Sequence, residues 1–308
     1  MSEMPLEAVF FGHIVMDTVV RGDRRWQNIG GTVVYGAFAA LRHGVKPLVV
    51  SKVGDDFLDE YLIMLARNNI DISYIRVIRG ARTTRFKLVY RDSERELTLL
   101  SRAEEIRRID AELVELKDRI AIVGPVAGEV AIDALESIHS RARLTGLDLQ
   151  GYLRRIKVRE PVRLERSELA IEALEHADIV HADADEARVL TGLEPPQSAK
   201  WLAERGPKIA LVTMGEDGAY VAWEDKVIYV PAAKPSQVVD VTGAGDVYLT
   251  VFSIEYAISG TVEEAAAMAA AAVSYLVERP GVDGLRDRWR IRGRARGVME
   301  GIKEIEVS

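Results

Sequence analysis

Short apolar runs, each closed by a glycine-bearing turn and followed by a stretch at helical spacing, set the rhythm of the N-terminal part of the chain. Residues 8–11 read as a buried strand ending at Gly12, and residues 32–43 as a small-residue helix stopped by Gly44. Residues 46–53 return to a β-branched strand closed by Gly54-Asp55-Asp56, and residues 57–68 predict another helix. Strand, turn, helix, strand in that order predicts a parallel sheet covered by helices.

Residues 72–100 break the rhythm. Residues 83–90 and 96–100 alternate apolar and polar around Asp92-Ser93, which predicts a half-exposed antiparallel flap. The α/β order then resumes, with strands at 120–123, 144–149, 179–181 and 209–213, a helix at 130–143 and a second hairpin at 219–230. Long helices are predicted from Asp246 to residue 258 and over 262–277. The expected fold is α/β: a mostly parallel central sheet with helices on both faces, in one domain over 1–308. A small β lid is expected from about residues 13–35 and 80–100.

Composition narrows the function. The 308 residues are 48% hydrophobic and 29% charged, with net charge −7 from 41 basic and 48 acidic side chains. No basic stripe argues for nucleic acid as a partner, and a polyanionic ligand would need local help from backbone amides, a few cations or a metal. The chain has no cysteine, which removes disulfides and thiolate metal sites and fits a reducing, cytoplasmic compartment. The opening MSEMPLEAVFFGHIVMD lacks the charged and apolar regions of a secretory signal. AAAMAAAAVSYLV is too short and alanine-rich for a membrane span, so no membrane partner is expected. The basic runs within 154–166 and 286–296 read as solvated faces or loops.

The candidate chemistry lies in VVDVTGAGDVYLTVF, residues 238–252. A strand end leads into Thr242-Gly243-Ala244-Gly245, and a helix begins near Asp246. Small residues allow close backbone approach to a ligand, and unsatisfied amides at a helix N-terminus attract anions. A carboxylate in that positive field is held ionised and could take a proton. On spacing alone the same residues suit a plain helix start capped by Asp246, so both readings stand. No GxxxxGK[ST] loop occurs, and the glycine loop lies too late in the chain for a dinucleotide fingerprint.

DVTGAGD resembles the C-terminal signature of the ribokinase-like (PfkB) carbohydrate kinases. NIGGTVVYGAFAALRHGVKPLVVSKVGDD is similar to the first signature of the same family. The resemblance implies a ribokinase-like fold and ATP-dependent phosphorylation of a hydroxyl. By it, Asp246 is the base, and the backbone of Thr242, Gly243, Ala244 and Gly245 is the anion hole. Asp240 would orient the loop and join the metal network, or form a simple Asx turn. Asp17 would grip substrate hydroxyls, Asn28 would face the substrate, and Gly30 and Gly31 would be the lid hinge. Arg85 would bring a cation over the substrate from the flap. Thr213, Gly215 and Gly218 match a nucleotide-side T-x-G-x-x-G pattern, and Ser274 falls where the family builds its adenine pocket. The N-x-x-E motif is present with Glu186 in place and Asp183 where asparagine is usual; Mg²⁺ is expected there through water, and a monovalent cation is compatible.

VGPVAGEV and LDLQGYLR look like stretches of inositol kinases within that family, which points to myo-inositol or a related cyclitol as acceptor. Asp148 and Gln150 are then polar groups near the substrate, or ordinary strand-to-helix loop residues. A ribose, nucleoside or 2-keto-3-deoxygluconate kinase and a non-catalytic sugar-binding regulator are the alternatives. A homodimer through the lid follows from the resemblance alone.

Overall fold

The computed structural model describes residues 6–91 and 94–307. Seven parallel strands form the core of a ten-stranded sheet, in the spatial order Asp71–Ile78, Lys46–Gly54, Glu7–Phe11, Ile120–Val123, Leu144–Asp148, Ile179–Asp183 and Ile209–Thr213. Ala219–Trp223, Lys226–Val230 and Lys303–Glu304 extend it antiparallel. The expected α/β sheet with two covered faces is therefore observed. Along Glu7–Phe11, Ala8 and Phe10 enter one core while Val9 and Phe11 enter the other. Alternation in space with no alternation in hydrophobicity is what a strand buried on both faces requires.

Helices Thr32–Arg42, Ala244–Ser259, Val262–Leu276 and Arg288–Glu300 cover one face. Ile132–Arg141, Glu168–Leu174, Ala184–Thr191 and Pro195–Ala203 cover the other. Among the described residues no helix is long and apolar enough to cross a membrane. Asp71–Ile78 closes the sheet at one edge, in the stretch where the strand-helix rhythm breaks and no central strand is expected. It is an edge strand, and its half-exposed side chains give no apolar run.

A second, four-stranded sheet stands where the lid is expected, in the order Arg24–Gly30, Val15–Arg21, Arg85–Arg91 and Glu94–Ser101. The strand Arg24–Gly30 is polar over most of its length and exposed, while Asp92-Ser93 lies outside the described residues. Val15, Val19, Phe86, Leu88 and Leu99 of this sheet pack on Val126 and Ala127.

The two sheets are joined through buried polar groups. His13 Nε2 donates to the Glu104 carbonyl at 2.9 Å, so its Nδ1 accepts from the Thr84 hydroxyl at 2.7 Å. Burial pushes the His13 pKa down, which keeps this neutral form. Glu129, fully buried, accepts from the amides of His13 (2.8 Å), Val126 (3.0 Å) and Ala127 (2.7 Å). Removing such an acceptor strands buried donors. Glu129→Ala should therefore lower stability by about 3 kcal/mol, read from the urea midpoint; a loss below about 1 kcal/mol would mean that these amides find other partners.

Candidate active site

The carboxyl ends of the parallel strands open into a cavity of about 840 Å³, bounded on one side by the small sheet. That is where an open α/β sheet binds ligands. The glycine loop lines it from Val241 to Asp246. Gly243, with φ 79°, is the N-cap of Ala244–Ser259, and a Cβ there would lie 2.3 Å from the Tyr35 ring. A Cβ on Gly245 would lie 2.7 Å from His181 Cε1. The loop can be made only of residues this small, because two rings pack directly beneath its backbone.

Asp240 braces the loop and does not face the cavity. Its Oδ1 accepts from the Thr242 amide (3.0 Å) and hydroxyl (2.7 Å), and its Oδ2 from the Gly281 amide at 3.2 Å. This is the Asx-turn reading, and Asp240 lines an adjoining chamber. The Ala244 amide is also engaged, on the Val241 carbonyl at 3.3 Å. The amides available to an anion are thus those of Gly243, Gly245 and Asp246, fewer than the full Thr242–Gly245 backbone expected.

Asp246 sits in the first turn of its helix, and Thr32 Oγ1 donates to its Oδ1 at 2.6 Å. Burial, then the neighbouring Asp148 carboxylate, push its pKa up to about 6; the Thr32 bond, His181 and Arg154 pull the other way. Thr32 directly follows Gly30-Gly31, and the first signature gave no hint that its hydroxyl would meet Asp246. Asp17 lies across the cavity on Val15–Arg21. It pairs in register with Asn28, and a Cβ on Gly30 would come within 3.0 Å of its Oδ2. Gly31 lines the cavity beside it. Asn28 itself faces an adjoining chamber of about 400 Å³.

Asp148 and Gln150 do reach the cavity. Asp148 Oδ1 accepts from the Gln150 amide at 2.9 Å, and its Oδ2 faces His181 Nδ1 at 3.0 Å. An ionised carboxylate only accepts, so Nδ1 carries the proton. The other imidazole nitrogen is 3.0 Å from Thr213 Oγ1. Burial would lower the His181 pKa, but the Asp148 charge and hydrogen bond outweigh it and raise the pKa above its ordinary value. His181 was not singled out from sequence, because a lone histidine in the apolar run IVHAD has the look of a core residue.

Asp183 and Glu186 form a capping box at the start of Ala184–Thr191: Glu186 N–H donates to Asp183 Oδ1 (2.8 Å) and Asp183 N–H to Glu186 Oε2 (3.0 Å). Burial, followed by the charges of Asp183 and Asp148, pushes Glu186 up to about 8. Negative charge is thus crowded at this corner, which fits a cation arriving with a polyanion. Among the described residues no three metal-ligating side chains converge. A Mg²⁺ would be held chiefly by donor phosphates, with Asp183 and Glu186 reaching it through water.

Three expected contacts are not formed. Arg85 turns to Asp56, 3.1 Å from its Oδ2, because Phe86 and Leu88 take the cavity side and strand alternation sends Arg85 the other way. Gly218 packs its backbone against the Val230 carbonyl, while Thr213 and Gly215 do line the cavity. Ser274 is buried within its helix, donating to the Ala271 carbonyl (2.7 Å) and accepting from Arg294 Nη1 (3.0 Å). In the other direction, Arg154 leaves the solvated run assigned to it. It lines the cavity, donating to the Val126 carbonyl (3.0 Å) and to Gln150 Oε1 (2.6 Å).

Residues 6–287 match the pfkB family carbohydrate kinase model. The chain is 28% identical over 268 residues to a cytidine kinase of Thermococcus kodakarensis, covering 84% of this chain and 91% of that one. Its fold resembles a pyrophosphate-dependent kinase in the ribokinase family complexed with a pyrophosphate analog and myo-inositol, with TM-score 0.79 at 24% identity over 93% of this chain and 99% of the other. It also resembles Arabidopsis thaliana ribokinase complexed with ribose and ATP, with TM-score 0.77 at 20% identity over 95% of this chain and 99% of that one. The chain belongs to the pfkB family of carbohydrate kinases and is an ATP-dependent kinase.

Proposed function

We propose that the cavity transfers the γ-phosphoryl group of ATP to a hydroxyl of a small polyol, with myo-inositol or a related cyclitol as acceptor. The observation that carries this reading is Asp246, held by Thr32 at the mouth of the glycine loop and facing the same space as Asp17, Asp148 and Gln150. Carboxylates and an amide around one cavity suit a ring with many hydroxyl donors. The fold-level likeness to a kinase complexed with myo-inositol supports the same acceptor.

In this reading Asp17 grips acceptor hydroxyls, and Asp246 Oδ2 takes the proton of the one that attacks. The amides of Gly243, Gly245 and Asp246 meet charge growing on the transferred group. Bound Mg²⁺ would offset phosphate charge beside Asp183 and Glu186. Thr213 and Gly215 serve the donor side, and closure of the small sheet excludes water. Its edge strand Arg24–Gly30 is exposed, as a homodimer through the lid would need.

A nucleoside acceptor is the second reading. The adjoining chamber carries Trp26, Arg24, Val239 and Pro280, and it shares Asp17, Tyr35 and Thr242 with the main cavity. A base could stack on Trp26 there, and the cytidine kinase relative makes this the competitor to test. A panel of myo-inositol, other cyclitols, ribose, cytidine and 2-keto-3-deoxygluconate, followed by ADP release, should give the highest kcat/KM with a cyclitol; a preference for cytidine would replace that reading.

Asp246→Asn should lower kcat by about 10²-fold or more with acceptor binding kept, since only the proton acceptor is lost. The base works deprotonated, so wild-type kcat/KM should fall as pH drops through about 6. Thr32→Val removes a bond that favours the ionised form, so this acid limb should move to higher pH. A limb that stays put in Thr32→Val, or turnover unchanged in Asp246→Asn, would rule out this base.

A further inference from the structure

Carboxylates crowd this cavity, and its cations are not equivalent. Arg188 is tied to Asp185 (3.3 Å) and Glu194 (3.1 Å), and the His181 imidazole faces Asp148 at 3.0 Å. Arg154 is held instead by two neutral oxygens, the Val126 carbonyl and Gln150 Oε1. Those bonds fix the plane of its guanidinium, while three of its five N–H donors remain. Phe86 of the small sheet covers it, with Cζ 6.0 Å from the ring centroid.

Its place follows from the chain. Leu144–Asp148 ends at the cavity, the short helix Gln150–Leu153 turns the backbone, and Arg154 follows as its C-cap. It therefore lines the same cavity as Asp148, Asp246, Asp183 and Glu186. Its positive charge favours the ionised forms of Asp246 and of Glu186. In the proposed reaction these two mark the acceptor hydroxyl and the donor phosphates.

Resting on that reading, we propose that the Arg154 guanidinium contacts the phosphoryl group in flight and is a catalytic residue of this kinase. The acceptor oxygen bonds to the γ-phosphorus as the bond from that phosphorus to the β,γ-bridging oxygen breaks. That electron pair leaves with ADP, and the hydroxyl proton goes to Asp246. Charge spreads over the equatorial oxygens meanwhile, and a planar fork of donors matches them where a single ammonium does not. A cation with no carboxylate partner among the described residues is free to make that contact when the group arrives.

The experiment compares Arg154→Met and Arg154→Lys with wild type at saturating ATP and acceptor, and measures both KM values and binding of a non-hydrolysable ATP analogue. Arg154→Met should lose about 10²-fold or more in kcat, with both KM values within about threefold of wild type. Arg154→Lys should keep the charge but still lose about tenfold, for want of the fork. Guanidinium added to Arg154→Ala should restore part of the lost turnover, which a merely structural side chain would not allow. A kcat within about threefold of wild type in Arg154→Met, a loss confined to acceptor KM, or no response to guanidinium overturns the assignment. If Arg154→Met fails to fold by circular dichroism, Arg154→Lys decides by the same criterion. The assay uses whichever polyol the wild type phosphorylates. A wrong acceptor then appears as wild-type turnover on another compound, and a wrong role for Arg154 as a variant that stays active.

Discussion

Bringing several carboxylates together at the end of a sheet costs electrostatic free energy, and most of the site's architecture is a response to that cost. Asp148, Asp183, Glu186 and Asp246 line one cavity, and Asp148 and Glu186 are buried in its wall. Like charges in a low-dielectric site resist ionising together. Glu186 shows the strain most, pushed up to about 8 by burial and by two neighbouring carboxylates. Each of the others is eased differently: Asp148 by an imidazole and a backbone amide, Asp183 by a helix N-terminus, Asp246 by a hydroxyl.

Those remedies depend on the fold, because the partners come from distant segments. Thr32 and Asp246 are 214 residues apart, and they meet because Thr32–Arg42 and Ala244–Ser259 pack together on one face of the sheet. Asp148 and Thr213 end the two strands that flank Ile179–Asp183, and His181, opposite Asp148 in register on that middle strand, reaches both with its ring. Glu129 and His13 do comparable work between the two sheets, where neutral hydrogen bonds and one carboxylate fix how the chain crosses over. The site is therefore only as well placed as the sheet register beneath it.

What the sequence made legible was local. DVTGAGD carries its own turn, braced by Asp240, and its own helix start, so reading it needed no distant contact. Strands with both faces buried were equally plain, since Ala8–Phe11 and 120–123 are continuous apolar runs. Edge strand Asp71–Ile78 was obscure because half-exposure on both faces erases its period. Arg85 and Arg154 were exchanged for a related reason. The direction of Arg85 depends on strand parity, and that of Arg154 on one short helix; neither shows in a run of charged residues.

A hydroxyl, not a cation, stands against the proposed base, and this has a chemical consequence. A close Arg or Lys would hold Asp246 firmly ionised and make it a poor proton acceptor, because basicity falls with pKa. The 2.6 Å bond from Thr32 orients the carboxylate while leaving its pKa at about 6, close to the range in which a base both stays ionised and accepts a proton well. The Arg154 charge acts on the base through space and not by a bond, which leaves its donors for an arriving polyanion. The cavity thus separates two needs that conflict at short range: a carboxylate basic enough to take a proton, and enough positive charge to admit phosphate.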